Sequence, residues 1–127
     1  MEKIRNTIVV IGGILFLIFG LFHITFWFLF DWKNELIKLN EVNSNVMQML
    51  NIGTVVILLS FGCIMLYYRS EILNTRLGNA ILIISSLFFF ARLIAEIVFP
   101  GSSIIFGLIL FLCILLYLIP AITKVKH

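Results

Sequence analysis

The chain has 127 residues, of which 62% are hydrophobic and only 12% are charged, and its mean hydropathy is +1.19. A water-soluble domain averages about 45–50% apolar and about 25% charged residues, so this composition excludes one and requires lipid as the solvent. The net charge of +3 does not indicate nucleic-acid binding, because the basic residues lie at predicted helix ends and form no patch.

Four long apolar stretches predict an all-α protein with a single membrane domain. A helix needs about 20 residues to cross ~30 Å of hydrocarbon. The predicted spans are residues 7–30, 46–68, 77–99 and 103–123. Residues 69–76 and 100–102 form short loops, and short loops make neighbouring helices antiparallel. The sequence therefore predicts an integral-membrane antiparallel four-helix bundle with up-down-up-down topology.

The connection between the first two spans, residues 31–45, has an amphipathic pattern. Its apolar residues recur at helical spacing and predict a short helix that either lies on the outer surface or extends the first span. We expect Asn40, Asn43, Ser44 and Asn45 to break this helix, with Ser44 or Asn45 capping the second span. The segment is either a solvated connecting helix or a lid over an outer-facing pocket. The apolar positions are Trp32, Leu36, Leu39 and Val42.

The distribution of basic residues predicts the orientation. Cytoplasmic loops carry an excess of Lys and Arg, and aromatic side chains collect at both interfaces. Placing the N-terminus inside leaves only Lys33 and Lys38 on the outer side. Both termini are therefore predicted to be cytoplasmic, in a plasma membrane. The inner basic residues are then Lys3, Arg5, Arg69, Arg76, Lys124 and Lys126, and the predicted aromatic belt is Trp27, Trp32, Tyr67, Tyr68 and Tyr117.

Polar side chains on three spans are predicted to lie at one depth. At a rise of about 1.5 Å per residue, His23, Asn51 and Arg92 each lie roughly 9 to 10 Å below the outer boundary. Gln48 and Glu96 are one turn nearer to it. One face of the first span has two small residues and one imidazole at helical spacing. This seam comprises Gly13, Phe16, Gly20, His23 and Trp27.

Each of these polar groups has a structural and a functional interpretation. Arg92 and Glu96 are spaced for an i,i+4 ion pair, which either fixes the third helix or forms part of a ligand or proton site. His23 is either an imidazole bonded to Asn51 or to a backbone carbonyl, or a ligand-binding group. Gln48 is expected to join helices by hydrogen bonds.

No cofactor or metal is predicted. Cys63 and Cys113 lie inside predicted spans without metal-ligand spacing, and both are expected to be small buried side chains. A haem would need a second axial histidine, and the other histidine, His127, is in the tail.

The chain's size, its four predicted spans and the turn Gly20-Leu21-Phe22-His23 resemble the DoxX-like group of small bacterial membrane proteins. The resemblance would extend over the whole chain, and it implies a four-helix bundle in a bacterial inner membrane. A polar pocket in one leaflet is also similar to the arrangement in emopamil-binding-type sterol isomerases, but no catalytic residue of that family is matched.

Three hypotheses of function follow. The preferred one is a non-enzymatic protein whose outer-half pocket binds a small amphiphile, a lipid or a partner helix. The second is a membrane-embedded enzyme acting on a lipid or quinone-like substrate, with His23 or Glu96 transferring a proton. The third is a transporter or channel subunit, which requires a homo-oligomer because the inner half offers no polar path. The predicted pocket residues are His23, Trp27, Gln48, Asn51, Arg92 and Glu96.

Overall fold

The computed structural model describes residues 2–99, 101 and 103–123, and every regular element in these ranges is helical. Four of the helices are long and apolar enough to cross a membrane, which confirms the four predicted spans as helices. Lys124, Lys126 and His127 lie outside the described residues, as do Pro100 and Ser102. The elements are α1 (Glu2–Ile24), α2 (Phe26–Leu29), α3 (Trp32–Glu35), the 3₁₀ turn Leu36–Lys38, α4 (Glu41–Tyr67), α5 (Arg69–Asn74), α6 (Arg76–Val98) and α7 (Ile104–Ile122).

The third and fourth spans begin close to their predicted positions, and each has a side-chain cap at its N-terminus. The hydroxyl of Thr75 accepts a hydrogen bond from the Gly78 amide at the start of α6. The hydroxyl of Ser103 accepts one from the Phe106 amide at the start of α7. Between these helices Gly101 has a φ of +92°, a conformation that glycine adopts without strain.

The first span does not run unbroken to Phe30 as predicted. α1 ends at Ile24, and Thr25 separates it from α2. The hydroxyl of Thr25 donates to the carbonyl oxygen of Phe22 at 2.6 Å. A Thr hydroxyl bonded back to the preceding turn competes with regular helical bonding and bends the helix. Hydropathy carries no information about such a local bond, so the interruption was not predicted.

Of the four residues predicted to break the chain before the second span, Asn40 does so, but the prediction is wrong for Asn43, Ser44 and Asn45. α4 begins at Glu41 and passes through all three residues. Its cap is Asn40, whose Oδ1 accepts a hydrogen bond from the Asn43 amide at 2.8 Å. A side-chain oxygen bonded to the amide three residues later satisfies an otherwise unpaired donor of the first turn. The helix therefore starts before residue 46.

The connection before α4 is helical over a shorter stretch than predicted. Trp32 and Leu36 are only 6% and 5% exposed, so the apolar face of α3 and the 3₁₀ turn is buried. Leu39 is extended and 42% exposed, and Val42 lies in α4 and is 70% exposed. Of the four residues predicted to form one apolar face, only Trp32 and Leu36 are therefore buried.

Residues 69–76, which were predicted as a plain loop, contain α5. Ile72 and Leu73 on this helix are buried, and α5 packs against the start of α6. The approach is very close, since a Cβ added to Gly78 would overlap backbone atoms of Glu71 and Ile72. Six residues are too few to produce a periodic signal, so this helix was not predicted.

The chain divides into two compact units, which are described separately. The terminal unit consists of Met1–Gly12 and Met65–His127, and the middle unit is Gly13–Ile64. The single membrane domain and the up-down-up-down bundle remain predictions.

In the terminal unit, α6 packs along α7 around Tyr117. This side chain is 1% exposed, stacks on the ring of Phe89 at 5.4 Å between centroids, and donates from its hydroxyl to the Gly12 carbonyl oxygen at 2.8 Å. Tyr117 is thus a core residue and not a member of the aromatic belt. The buried Trp32 departs from the belt in the same way.

Arg5 is also buried in the terminal unit, at 6% exposed. Its Nη2 donates to the carbonyl oxygens of Leu73 and Pro120, at 3.3 Å each. Both acceptors lie in the last turns of helices, where carbonyl groups have no intrahelical partner and carry partial negative charge. A guanidinium is suited to this position because it presents several donors. Arg5 therefore joins the ends of α5 and α7 to α1.

In the middle unit, the predicted seam on α1 packs against α4. Phe16 is 1% exposed and its ring lies 5.6 Å from that of Phe61. A Cβ added to Gly62 would come within 2.9 Å of the Gly13 carbonyl oxygen. Small residues allow this close backbone approach, which is the main source of helix association in lipid.

The two cysteines have different surroundings. Both are free thiols, and Cys113 is buried as predicted. Cys63 is exposed, so the prediction that it is a buried side chain is wrong. Its position on α4 faces away from the packed seam, and hydropathy does not distinguish the two faces of an apolar helix.

Candidate functional site

His23 and Asn51 form a reciprocal pair between α1 and α4 in the middle unit. The His23 Nδ1 lies 3.0 Å from the Asn51 Oδ1, and the Asn51 Nδ2 donates to the His23 backbone oxygen at 3.0 Å. That backbone oxygen is among the last four carbonyl groups of α1, which have no partner within the helix. Asn51 therefore caps the end of α1 and orients the imidazole at the same time.

The pair also fixes the tautomer of His23. A backbone carbonyl accepts hydrogen bonds but cannot donate, so the Asn51 atom that contacts it must be the amide nitrogen. The other amide atom, Oδ1, then faces the ring, and the ring nitrogen opposite it must carry a proton. Nδ1 of His23 therefore carries the proton that is donated to Asn51 Oδ1.

Gln48 and Trp27, the other predicted pocket residues of the middle unit, do not take part in the His23–Asn51 pair. Gln48 donates from Nε2 to the Ser44 carbonyl oxygen at 3.2 Å, within its own helix, so the prediction that it joins two helices is wrong. A long amide side chain reaches its own preceding turn without needing a neighbour. Trp27 is 43% exposed, and its ring lies 6.4 Å from that of Trp32.

Arg92 and Glu96 form the predicted ion pair on α6 in the terminal unit. Arg92 Nη2 lies 2.7 Å from Glu96 Oε2, one helical turn away. The second carboxylate oxygen, Oε1, accepts a hydrogen bond from the Ser103 amide at 3.0 Å. Because Ser103 caps α7, Glu96 holds the start of α7 against the end of α6. One oxygen of this carboxylate therefore forms an ion pair within α6, and the other connects α6 to the start of α7.

The guanidinium of Arg92 also lies over an aromatic ring. Its Cζ is 5.3 Å from the centroid of the Phe106 ring, within the range of a cation–π interaction. The side chain remains 43% exposed. These contacts support the structural interpretation of the pair, which is that it fixes α6 and the following turn.

The structure thus brings the predicted pocket residues together as two pairs. His23 and Asn51 meet in the middle unit, and Arg92 and Glu96 meet in the terminal unit. The six-residue pocket that was predicted from their common depth remains a prediction.

A cleft that was not predicted from the sequence lies beside the His23–Asn51 pair, and we call it the aromatic cleft. Its volume is about 500 Å³, within the range of about 300–1,000 Å³ found for small-molecule sites. Its walls come from α2, α3, the 3₁₀ turn and the start of α4, all in the middle unit. The lining residues are Phe26, Phe30, Trp32, Glu35, Leu36, Leu39 and Met47.

Phe26 connects the aromatic cleft to the polar pair. Its ring lies 4.3 Å from the His23 imidazole, 4.8 Å from Phe30 and 6.2 Å from Trp32, measured between centroids. Glu35 is the charged residue of the lining, and its carboxylate pairs with Lys38 at 2.6 Å. The cleft is therefore an apolar space with one carboxylate at its wall and an imidazole behind one of its rings.

Within the described ranges, no three His, Cys, Asp or Glu side chains come together in a group that could hold a metal ion. Comparisons with known protein families, curated proteins and solved structures find no match to this chain. The resemblance to the DoxX-like group accordingly remains an expectation, and the proposal of function depends on the geometry alone.

Proposed function

We propose that the protein binds a small amphiphile, with the apolar part of the ligand in the aromatic cleft. The observation that supports this most directly is the lining, in which six of the seven residues are apolar. Ligand sites typically have such walls, with a few polar groups that fix orientation. Several lining side chains are also accessible, since Phe30, Leu39 and Met47 are 50%, 42% and 43% exposed.

The single carboxylate in the lining favours a neutral or cationic polar end. Glu35 accepts hydrogen bonds and repels an anion, whereas Phe26, Phe30 and Trp32 present ring faces that attract a cation. A fatty-acid carboxylate would be repelled by Glu35, and the nearby cation, Lys38, is already paired with Glu35. The ligand class is therefore a neutral or positively charged amphiphile.

The enzymatic alternative has less support. The ion pair of Glu96 with Arg92 and its bond to the Ser103 amide support a structural role for this carboxylate. We infer further that the four long helices form an antiparallel bundle with both termini in the cytoplasm of a bacterial cell. The predicted outer segments contain two basic residues, Lys33 and Lys38, and the predicted inner segments contain six, which supports this orientation.

The experiment uses brominated single-chain amphiphiles, because bromine quenches tryptophan fluorescence on contact. A Trp27→Phe variant leaves Trp32 as the reporter, since the chain has two tryptophans. We expect a brominated monoacylglycerol and a brominated alkylammonium to quench Trp32 at lower concentration than a brominated fatty acid. Equal quenching by all three would contradict the assigned ligand class.

A second variant tests the cleft itself. Met47→Phe adds bulk to the lining and should weaken binding about tenfold, since overpacking typically costs about 1–3 kcal/mol. Met49→Phe is the matched control, because Met49 is on the same helix and 68% exposed but does not line the cleft. Equal affinities of the two variants would mean that the amphiphile binds elsewhere.

A further inference from the structure

A second cleft, in the terminal unit, lies between the first turns of α1 and helix α5. We call it the basic cleft. Its volume is about 390 Å³. Apart from Leu73, all of its lining residues are polar or charged. They are Glu2, Lys3 and Asn6 on α1 and Arg69, Ser70 and Asn74 on α5.

The cations of the basic cleft have no carboxylate partner among the described residues. Within residues 2–99, 101 and 103–123 the ion pairs are Lys38 with Glu35 and Arg92 with Glu96. Lys3 and Arg69 therefore face the cleft without a paired carboxylate, and Glu2 is the one acidic residue of the lining. The net charge of the lining is positive.

A third positive charge lies directly behind the wall. Arg5 is 6% exposed and donates to the carbonyl oxygen of Leu73, which lines the cleft. Its Nε is buried without a hydrogen-bond partner. Among the described residues the guanidinium of Arg5 is bonded to carbonyl groups and to no carboxylate, so it raises the positive potential in its neighbourhood. An anion in the basic cleft would offset this potential.

The position of the basic cleft indicates where the anion comes from. Tyr67 and Tyr68 directly precede Arg69 and are 83% and 59% exposed. Exposed tyrosines at the end of a membrane-spanning helix lie at the level of lipid headgroups. Basic pockets between such helices bind anionic headgroups. The ammonium, guanidinium, amide and hydroxyl donors of this cleft suit a phosphate group with several acceptor oxygens.

We propose that the basic cleft binds the phosphate of an anionic phospholipid headgroup. This site is independent of the aromatic cleft, where a neutral or cationic amphiphile is expected. The two ligand classes differ in charge because the one lining has unpaired cations and the other a single carboxylate.

The test is native mass spectrometry of the full chain in non-ionic detergent, titrated with short-chain phosphatidylglycerol or phosphatidylcholine. We expect tighter binding of phosphatidylglycerol. In a Lys3→Gln/Arg69→Gln variant its affinity should fall roughly thirtyfold, from about fivefold per cation. The control is Lys33→Gln/Arg76→Gln, which removes the same charge from residues outside the basic cleft. We expect it to bind like the wild type.

Competition with soluble glycerol phosphate distinguishes the source of the phosphate. If it displaces phosphatidylglycerol only at much higher concentration, the lipid is the ligand, as proposed. Displacement at equal concentration would overturn the lipid assignment in favour of a free phosphate ester. Equal binding of the two lipids, or an equal loss in both double variants, would overturn the site itself.

Discussion

Replacing Asn51 by leucine should loosen the middle unit more than replacing its partner His23 by phenylalanine. Asn51→Leu removes two hydrogen bonds of 3.0 Å each, one to the ring and one to the end of α1. His23→Phe removes the ring bond but keeps the backbone carbonyl that accepts from Asn51. Interhelical hydrogen bonds in membranes contribute about 0.6 kcal/mol on average and about 1.7 at most.

These magnitudes give a specific ratio. Asn51→Leu should lower the free energy of unfolding by roughly 1.2 kcal/mol, or about eightfold in the equilibrium constant, and His23→Phe by about half as much. The double variant should resemble Asn51→Leu, because the ring bond is already lost there. The assay is reversible unfolding in mixed detergent and SDS micelles, followed by the fluorescence of Trp27 and Trp32, which both lie in the middle unit.

Gln48→Leu is the control for this series. It also replaces an amide by an apolar side chain on α4, but its hydrogen bond is to its own helix. We expect a negligible change in the unfolding midpoint. If Asn51→Leu and Gln48→Leu had the same effect, or if His23→Phe cost as much as Asn51→Leu, the reciprocal pair would not be the connection described here.

Three further predictions concern the terminal unit and the helix interiors. Arg5→Met should lower stability by about 2 kcal/mol in the same SDS titration, because two hydrogen bonds from a charged donor are lost while the cost of burying the charge is removed. Arg76→Met, which changes an exposed cation, should have little effect. Gly78→Ala should cost about 1–3 kcal/mol by forcing backbone atoms apart, whereas Gly53→Ala, with no neighbour within 4 Å, should stabilise its helix by about 0.5–1 kcal/mol. Glu96→Gln should shift the midpoint less than Glu96→Leu, because an amide oxygen still accepts the backbone bond; equal shifts would contradict that role.

The pairs that were predicted correctly are those whose partners are fixed by helix geometry. Arg92 and Glu96 are one turn apart on one helix, so their contact follows from spacing alone. His23 and Asn51 are on different helices, but equal depth and a shared polar character indicated their contact. By contrast, Gln48 can reach either the Ser44 carbonyl oxygen in its own helix or a neighbouring helix, and spacing does not show which acceptor it uses.

The partners of Arg5 could not be predicted, because its acceptors are backbone carbonyl groups. Every residue has a backbone carbonyl group, so the sequence does not show which of these groups lie at helix ends near Arg5. The same holds for Thr25 and Asn40, whose bonds to neighbouring backbone set where α1 ends and α4 begins. The aromatic cleft was missed for a related reason, since its walls combine the end of the first predicted span, the amphipathic connection and the start of the second span, and hydropathy does not show how these segments pack.

The sequence by itself determined that the chain is helical and has four segments able to cross a membrane. Hydrocarbon leaves the backbone no partner but itself, so a long uncharged stretch specifies a helix whatever its neighbours are. The tertiary structure alone decided which side chains are buried, which backbone carbonyl groups accept from Arg5, and where the two clefts lie. Those outcomes depend on the faces that packed helices turn toward each other, and an apolar helix has nearly the same composition on every face.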